Sequence, residues 1–425
     1  MIRKIDLDSK YIIIGLAWAL LVYVTFAWII ARDSFLVDFT SFYTAVNTLW
    51  DGINPYQVLE VKILGVTKKL PVNLNPPIFL FSLMPLHFFS YKVAEVVWYW
   101  LLVMGAVGNF YFAVRYGCSS DFWKRNRIYF IFIYLTAFST IMGLAIGQIG
   151  TFIACLILLG YYFYQKKAIK RCALCWAYIT ACKFFPAVLL IFCIQQRQYR
   201  LAAYYVFFGV IFFFLPVLVF GIGLFGKYTD MMSRVLWYGD SWNASFFGVI
   251  GRLWIDSHNT HIKLWPFHLI WFVVATPILL FYLFQRQLER HYSFLLALVL
   301  MIILSPFGWM YYFYLLFVVL LYTAEKAEQS NYLWIWFIAL VLMNFPVDYI
   351  AELHQQGIFQ RLFLCSAHFY GLVVLLSLML KSPRNSQLHL FSSIQWPIIL
   401  NQFLNLLICS VIIIHHYYKY LHLRV

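Results

Sequence analysis

The stretch VDFTSFYTAVNTLWDGINPY, residues 37–56, follows the first long apolar run of the chain. Apolar side chains recur in it at helical spacing and polar ones fill the other side, which is typical of a helix at a membrane surface. The apolar positions are Phe39, Phe42, Val46, Leu49 and Trp50. Gly52 and the turn Asn54-Pro55-Tyr56 end this helix, since proline cannot continue it. Asp38 stands at its front edge, where we expect its carboxylate to meet both lipid and water.

The composition indicates a polytopic membrane protein. Of the 425 residues, 64% are hydrophobic and 11% are charged. Soluble domains contain about 25% charged residues, so much of this surface must face lipid. The formal net charge of +15 is a feature that nucleic-acid-binding proteins share. Here the basic residues lie in short loops between apolar runs, as the positive-inside rule predicts, and we expect no nucleic-acid partner.

Basic residues mark one side of the predicted membrane protein. The amino terminus is basic and precedes about 20 apolar residues, Tyr11 to Ile30, a length that crosses a bilayer. A cleaved signal peptide has a shorter apolar core, so we predict a retained first span and a cytoplasmic amino terminus. The other basic loops belong on the same side. They contain Arg115, Lys124, Arg125, Arg127, Lys166, Lys167, Lys170, Arg171, Arg197, Arg200, Arg286, Arg290, Lys326, Lys381 and Arg384.

The apolar runs predict one all-α integral-membrane domain over residues 1–425, a bundle of about 11–13 transmembrane helices. Residues 31–92 form a first outer loop and residues 223–264 a second one. Residues 382–425 form a divergent carboxyl-terminal segment, whose last apolar stretch spans the membrane or lies at its inner surface. Other spans are predicted near residues 93–115, 127–146, 148–164, 200–222, 266–285, 291–306, 309–323, 332–347 and 362–381.

Two apolar segments are interrupted. Residues 76–89 are short for a span and contain Pro85, so we predict a re-entrant or juxtamembrane segment in the first outer loop. Residues 172–196 break at Lys183-Phe184-Phe185-Pro186, which predicts a broken helical hairpin. Broken helices at membrane depth normally line a cavity, because lipid cannot satisfy the freed backbone groups. Lys183 then faces a cavity or a ligand, or alternatively extends to a lipid head group.

Acidic residues and cysteines differ in their distribution. On this topology ten of the sixteen acidic residues lie outside or at the outer boundary, so acid–base chemistry is expected to face outward. The eight cysteines lie in spans or on the inner side, and structural disulfides are not expected. Cys172 and Cys175 are better explained by packing than by zinc. Three residues of the second outer loop, Asp256, His258 and His261, are either metal ligands or ordinary loop residues.

The order of the short motifs resembles glycosyltransferase family 87. The resemblance covers roughly residues 10–325, and the ordered set carries it because no single motif is specific. The motifs are D-F-x-x-F-Y-x-A from Asp38, G-x-N-P-Y from Gly52, Pro76-Pro77 before Pro85-Leu86, Gly147-Gln148, Lys183-Phe184-Phe185-Pro186, an Asn-rich aromatic loop and S-P-x-x-W from Ser305. The family includes the PimE-like mannosyltransferases and has the glycosyltransferase-C superfold, so the resemblance implies a bundle of that kind.

This resemblance also implies a reaction. A hexose, with mannose first, would pass with inversion from a polyprenyl-phosphate donor to a hydroxyl of a lipid or glycan acceptor. The site would face outward from a prokaryotic cytoplasmic (inner) membrane, as part of cell-envelope synthesis. Asp38 matches the first-loop catalytic acid of the family and would take the proton of the acceptor hydroxyl. From the residues alone, Asp38 is equally well explained as a cap of the following helix.

Other candidate site residues follow from their chemistry. Lys183 and Arg252 are candidates for the donor phosphate, whose negative charge needs cations. Surface ion pairing is the alternative for Arg252. Candidates for sugar binding are Gln148, Tyr43, Asn243, Trp309 and Tyr311. Where the family often has histidine after the tryptophan, this chain has Met310 and Tyr311, which removes support for a histidine contact to phosphate. No cofactor is assigned, and a divalent metal ion stays an open alternative.

Two other functional classes are compatible with these features. A transporter or flippase for a lipid-linked saccharide also needs a polar cavity and a broken helix, but such proteins often contain paired halves with matching interruptions. A noncatalytic assembly subunit would explain the missing histidine. The concentration of acidic residues on the predicted outer side favours an enzyme whose active site faces that side.

Overall fold

The computed structural model of the protein describes residues 36–63, 66–235, 237–254, 265–330, 332–347, 358–380 and 393–422, with residues 21, 24 and 25. Most of the predicted first span therefore lies outside the described residues. The same holds for Asp256, His258 and His261 of the second outer loop.

Helices form most of the described chain. The first group contains α1 (Val37–Trp50), α2 (Pro77–Leu83), α3 (Tyr91–Gly117), α4 (Ser120–Thr136), α5 (Phe138–Ala145), α6 (Gly150–Gln165), α7 (Ile169–Cys182), α8 (Val188–Gln195) and α9 (Tyr199–Phe220). The second contains α10 (Gly223–Met232), α11 (Phe246–Trp254), α12 (Trp265–Phe284), α13 (Arg290–Ile303), α14 (Phe317–Ser330), α15 (Leu333–Met343), α16 (Ile358–Phe363), α17 (Ala367–Leu380) and α18 (Gln395–His422). Short 3₁₀ helices occupy Met84–Phe88, Phe185–Ala187, Trp237–Gly239 and Met310–Leu316.

Four helices in the described ranges are long and apolar enough to cross a membrane: α3, α9, α12 and residues 395–413 of α18. The pair α4 and α5 passes the same test together, with a bend of 43° between them. Shorter apolar segments accompany them at Pro77–Phe88, Gly150–Gln165, Phe185–Gln195, Arg290–Ile303, Leu333–Met343 and Ala367–Leu380. These helices confirm an all-α polytopic membrane protein, while the count of 11–13 spans stays a prediction.

The segment predicted as the first outer loop contains a β-hairpin that was not predicted. Strands β1 (Glu60–Ile63) and β2 (Val66–Lys69) pair antiparallel, with Glu60 opposite Lys69 and Ile63 opposite Val66. The signal was present as two short runs with β-branched residues, separated by the two residues Leu64 and Gly65. The sequence did not predict this hairpin, because strands of four residues are too short for alternation of apolar and polar residues to be informative.

The interruption at Lys183 separates α7 from α8. Helix α7 ends at Cys182, Lys183 has extended backbone angles (φ −151°, ψ 123°), and the 3₁₀ helix Phe185–Ala187 leads into α8. Proline at position 186 lacks an N–H and cannot continue the α-helical ladder from α7. Helix α7 packs between α6 and α9, so the break lies inside the bundle.

Candidate functional site

The start of α1 docks on the turn between α5 and α6. The N–H of Leu36 donates to the Ala145 carbonyl at 2.6 Å, and the N–H of Asp38 donates to the Ile146 carbonyl at 2.9 Å. Gly147 in this turn has a φ of +75°, and a Cβ on it would lie 2.9 Å from Cβ of Phe39. Close approach and backbone angle therefore both require glycine here. The contact fixes the position of the Asp38 backbone.

Gln148 holds the Asp38 side chain. Its Nε2 donates to Oδ2 of Asp38 at 2.6 Å, while its Oε1 accepts from the N–H of Ile149 at 3.1 Å. Because a backbone N–H can only donate, the second bond fixes which end of the amide faces the carboxylate. The alternative that Asp38 caps α1 is wrong, since Leu36 occupies the cap position and no side-chain bond is made there.

The Asp38 carboxyl group titrates close to neutral pH. Burial raises its pKa to about 7, and the positive charge of Lys183 opposes that rise. The side chain keeps partial solvent exposure, whereas Gln148 is buried. A carboxylate with a pKa near the working pH is suited to accept a proton in one step and release it later.

Lys183 lies at the helix break and faces this carboxylate. Lys183 is 9% exposed and forms no salt bridge with a described residue. No described carboxylate therefore lies within ion-pair distance of it. The ammonium lies 5.1 Å from the ring centroid of Trp309 and 5.9 Å from that of Tyr312. Aromatic faces stabilise a cation without neutralising it. The ammonium can therefore still attract an anion.

The aromatic rings beside Lys183 form an ordered shelf. Trp309 and Tyr312 stack with an interplanar angle of 10°, and Phe185 packs on Tyr312 with centroids 4.7 Å apart. Tyr311 meets Trp309 at an edge, 6.3 Å between centroids. The indole nitrogen of Trp309 is buried and has no hydrogen-bond partner in the described residues. Tyr312 and Phe185 were not predicted as site residues, although Phe185 belongs to the Lys183-Phe184-Phe185-Pro186 motif and Tyr312 follows Trp309 by three positions.

Helix α6 sets the position of this shelf. A Cβ on Gly150, the first residue of α6, would lie 2.1 Å from the Tyr311 carbonyl oxygen. Only glycine permits that distance between the helix start and the 3₁₀ helix Met310–Leu316. The same short connection carries Gln148, so the carboxylate and the aromatic shelf are positioned by one turn.

Asn243 joins the second outer loop to the shelf. It forms an isolated antiparallel bridge with Trp309. Its Nδ2 donates to the carbonyls of Tyr238 and Pro306 at 2.9 and 2.8 Å, and its Oδ1 accepts from the N–H and hydroxyl of Ser245. Both amide hydrogens are thus used within the protein. Asn243 positions the loop against Trp309 rather than presenting a free amide.

Arg252 lies in the same loop cluster. Its side chain donates to the carbonyls of Asp240 and Asn243 at 2.8 and 3.0 Å and to the hydroxyl of Ser366 at 2.9 Å. Burial lowers the pKa of Arg252 to about 10 and raises that of the neighbouring Asp240 to about 6. The remaining guanidinium nitrogen is buried without a partner in the described residues. The Arg252 side chain therefore holds the loop in place and leaves one guanidinium nitrogen without a hydrogen bond in the described residues.

The comparison with protein-family models gave a match to glycosyltransferase family 87 over residues 73–306, more than half of the chain. The chain belongs to glycosyltransferase family 87. It is therefore an integral-membrane glycosyltransferase, with a sugar donor and an acceptor as substrates. No curated protein and no solved structure matched the chain.

The family 87 match divides the candidate site residues. Gln148, Lys183, Asn243 and Arg252 lie within residues 73–306. The remaining candidates lie outside the matched range, so the family match itself does not include them. They are Asp38, Tyr43, Trp309 and Tyr311.

Tyr43 contacts the segment between α2 and α3. Its hydroxyl donates to the Phe89 carbonyl at 2.8 Å, and its ring meets Tyr91 edge-on at 5.4 Å. These contacts join α1 to the segment that precedes α3. In this glycosyltransferase, Tyr43 holds the first outer loop together.

Metal ligands do not gather in the described part of the glycosyltransferase. No group of three or more His, Cys, Asp or Glu side chains there comes together in a way that could hold an ion. The eight cysteines are free thiols.

Proposed function

We propose that this glycosyltransferase moves a hexose, with mannose as the first candidate, from a polyprenyl-phosphate donor to a hydroxyl of a lipid or glycan acceptor. The reaction takes place on the outer face of a prokaryotic cytoplasmic membrane. One observation carries the proposal: a carboxylate with a pKa of about 7, Asp38, is held by Gln148 and faces the buried ammonium of Lys183. A base and a cation are the two groups that this transfer needs.

In this reaction Asp38 is the general base. Its carboxylate accepts the proton of the acceptor hydroxyl while that oxygen attacks the anomeric carbon of the donor sugar. The bond from the anomeric carbon to the phosphate oxygen breaks, and the electron pair leaves with the polyprenyl phosphate. A single displacement of this kind inverts the anomeric centre. The amide of Gln148 keeps Oδ2 in place, which leaves Oδ1 for the incoming hydroxyl.

Lys183 supplies positive charge to the departing phosphate. Developing negative charge is stabilised most strongly by a cation in a site from which water is excluded. Its ammonium has aromatic faces and no ion pair in the described residues, so the charge is not already neutralised. The unbonded nitrogen of Arg252 is a second candidate for the same phosphate.

The aromatic shelf is proposed to contact the sugar. The stacked rings of Trp309 and Tyr312 present an apolar surface beside the base and the cation. Rings of this kind can pack against the C–H face of a pyranose, while the unpartnered indole N–H of Trp309 can donate to a sugar hydroxyl. Tyr311 and Gln148 complete the set of candidate sugar contacts.

The test compares Asp38→Asn with Asp51→Asn in membranes supplied with radiolabelled polyprenyl-phosphate mannose. Asn keeps the shape of the side chain but cannot take the proton, so transfer by Asp38→Asn should fall about 10²–10⁴-fold. Asp51 terminates the same helix and is exposed, so its variant should match the parental rate.

Equal rates for the two variants would rule out Asp38 as the base. Protected uptake of label without any labelled product would identify a transporter instead. Absence of product from the mannose donor, with product from another polyprenyl-phosphate hexose, would keep the mechanism and change the sugar.

A further inference from the structure

A cavity of about 620 Å³ lies at two of the loops that carry basic residues, and its lining residues are far from Asp38 in the sequence. Its walls come from two turns, one between α8 and α9 and one between α12 and α13. Three arginines line it: Arg197 from the first turn, and Arg286 and Arg290 from the second. None of these residues belongs to the proposed transfer site.

Hydrogen bonds lock the two turns together. Gln195 is 1% exposed, and its Nε2 donates to the Gln285 carbonyl at 2.6 Å. Its Oε1 accepts from the hydroxyl of Ser293 at 2.8 Å. Gln196 adds a bond to the Leu288 carbonyl at 3.3 Å. The cavity is therefore a fixed feature of the fold, formed by buried polar contacts across two loops.

The positive charge in this cavity is not compensated within the described residues. Arg197, Arg286 and Arg290 are all exposed, and no hydrogen bond or ion pair of their guanidinium groups occurs there. The single acidic lining residue, Glu289, uses its carboxylate to cap α13, accepting from two backbone N–H groups at 3.1 and 3.2 Å. Three like charges without a partner favour the binding of an anion.

Exposed apolar side chains lie close in sequence to the residues that line the cavity. Helices α9 and α12 lead away from it, and they are the least buried of the four long spans. Tyr199 at the start of α9 is 60% exposed, and Phe284 at the end of α12 is 65% exposed. Such surfaces lie against acyl chains in a membrane. The cavity therefore lies next to surfaces that are suited to contact acyl chains.

We propose that this cavity binds the phosphodiester headgroup of an anionic phospholipid, with the acyl chains along α9 and α12. The planar guanidinium fork matches phosphate oxygens in pairs. Basic pockets between helices at the membrane surface recognise anionic headgroups in this way. The lipid would hold the α8–α9 and α12–α13 turns together and leave the opposite end of the bundle unaltered.

Native mass spectrometry of the purified, delipidated full-length protein tests this proposal. Phosphatidylglycerol and phosphatidylcholine are titrated separately, and inorganic phosphate is added as a competitor. The double variant Arg286→Gln/Arg290→Gln is compared with Lys124→Gln/Arg127→Gln, which removes the same charge from exposed positions on helix α4.

The parental protein and the control variant should bind phosphatidylglycerol at least about tenfold more tightly than phosphatidylcholine. Affinity should fall about fivefold for each cavity arginine removed. Equal affinity of the two double variants for phosphatidylglycerol would overturn the proposal, as would equal affinity of the parental protein for both lipids. Displacement of the lipid by millimolar inorganic phosphate would also overturn it, in favour of a site for free phosphate. Because the readout is lipid binding, failure here leaves the transfer proposal untouched.

Discussion

Two turns between helices contain a residue with positive φ but use different residue types for it. The Asp38 turn joins α5 to α6 at Gly147 and contacts the start of α1, and the Arg197 turn joins α8 to α9. Gly147 and Arg197 both follow helices and both have positive φ, +75° and 56°. At the Asp38 turn, contact with Phe39 leaves no room for a side chain. At the other turn, arginine accepts an unfavourable backbone angle and places a cation near the carboxyl terminus of α8, where the helix dipole favours it. One turn is specialised for close packing and the other for charge.

Arg197 is not alone in this respect. Lys167, after α6, also has a positive φ, 58°, and also follows a helix in a basic loop. Gly52 and Gly221 have positive φ, as Gly147 does. Leu36, two residues before Asp38, is a further non-glycine residue with positive φ. The Asp38 turn is therefore closely packed, whereas the basic cavity keeps its arginine charges exposed and unpaired among the described residues.

Among the variants that test this comparison, Lys183→Met, which keeps an unbranched side chain and removes its charge, is expected to have the largest effect. Transfer should fall about 10²–10³-fold, because the leaving phosphate loses its cation. Lys92→Met is the control, since Lys92 is an exposed lysine at the start of α3 and does not belong to the proposed site. Steady-state kinetics with saturating donor measures both. A rate within twofold of the parental value would show that Lys183 does not act on the phosphate.

The pH dependence of transfer is the second test. Only the deprotonated carboxylate can act as base, so kcat should fall about tenfold for each pH unit below about 7, the pKa of Asp38. Gln148→Leu removes a hydrogen bond that favours the charged form, which raises this pKa and moves the acidic limb to higher pH. A limb that stays in place in the Leu variant would mean that Gln148 does not contact the reacting carboxylate.

Gly147→Ala tests the close packing of the Asp38 turn against Phe39. The added Cβ meets Phe39 and the backbone angle disfavours alanine, so the protein should lose about 1–3 kcal/mol of stability. Thermal unfolding in detergent measures the loss. Gly209→Ala provides the control, because nothing lies within 4 Å of that position. An unchanged melting temperature in Gly147→Ala would contradict the tight contact.

Arg197→Gly should have the smallest effect. Glycine relieves the backbone angle and removes a favourable charge at a helix end, two terms of opposite sign that are each about 1 kcal/mol. The melting temperature should therefore change little, while affinity for anionic lipid should fall. A large loss of stability would show that Arg197 makes structural contacts beyond its backbone turn.

Local features were predictable from the sequence because local chemistry determines them. The helix that starts at Val37 ends at Trp50, and Gly52 takes its positive φ, as spacing and turn residues indicated. The break at Lys183 follows from Pro186 three positions later. These features depend on residues within one or two helical turns, which a single sequence contains.

The contacts of the site were not predictable in the same way. Asp38 and Gln148 are 110 positions apart, and nothing local indicates that the amide holds the carboxylate. Asn243 and Arg252 were proposed as ligand contacts, yet most of their hydrogen-bonding groups are used by carbonyls of the protein. Such bonds depend on tertiary packing, which composition and periodicity do not encode.

The position of Trp309 late in the chain has a consequence for biogenesis. Its indole ring completes the surroundings of Lys183, and its backbone pairs with Asn243. During synthesis α8, α9 and α12 must insert before residue 309 leaves the ribosome, so the lysine is integrated without its aromatic neighbours. Nascent chains arrested before Trp309 should therefore be more susceptible to membrane proteases than chains arrested just after it.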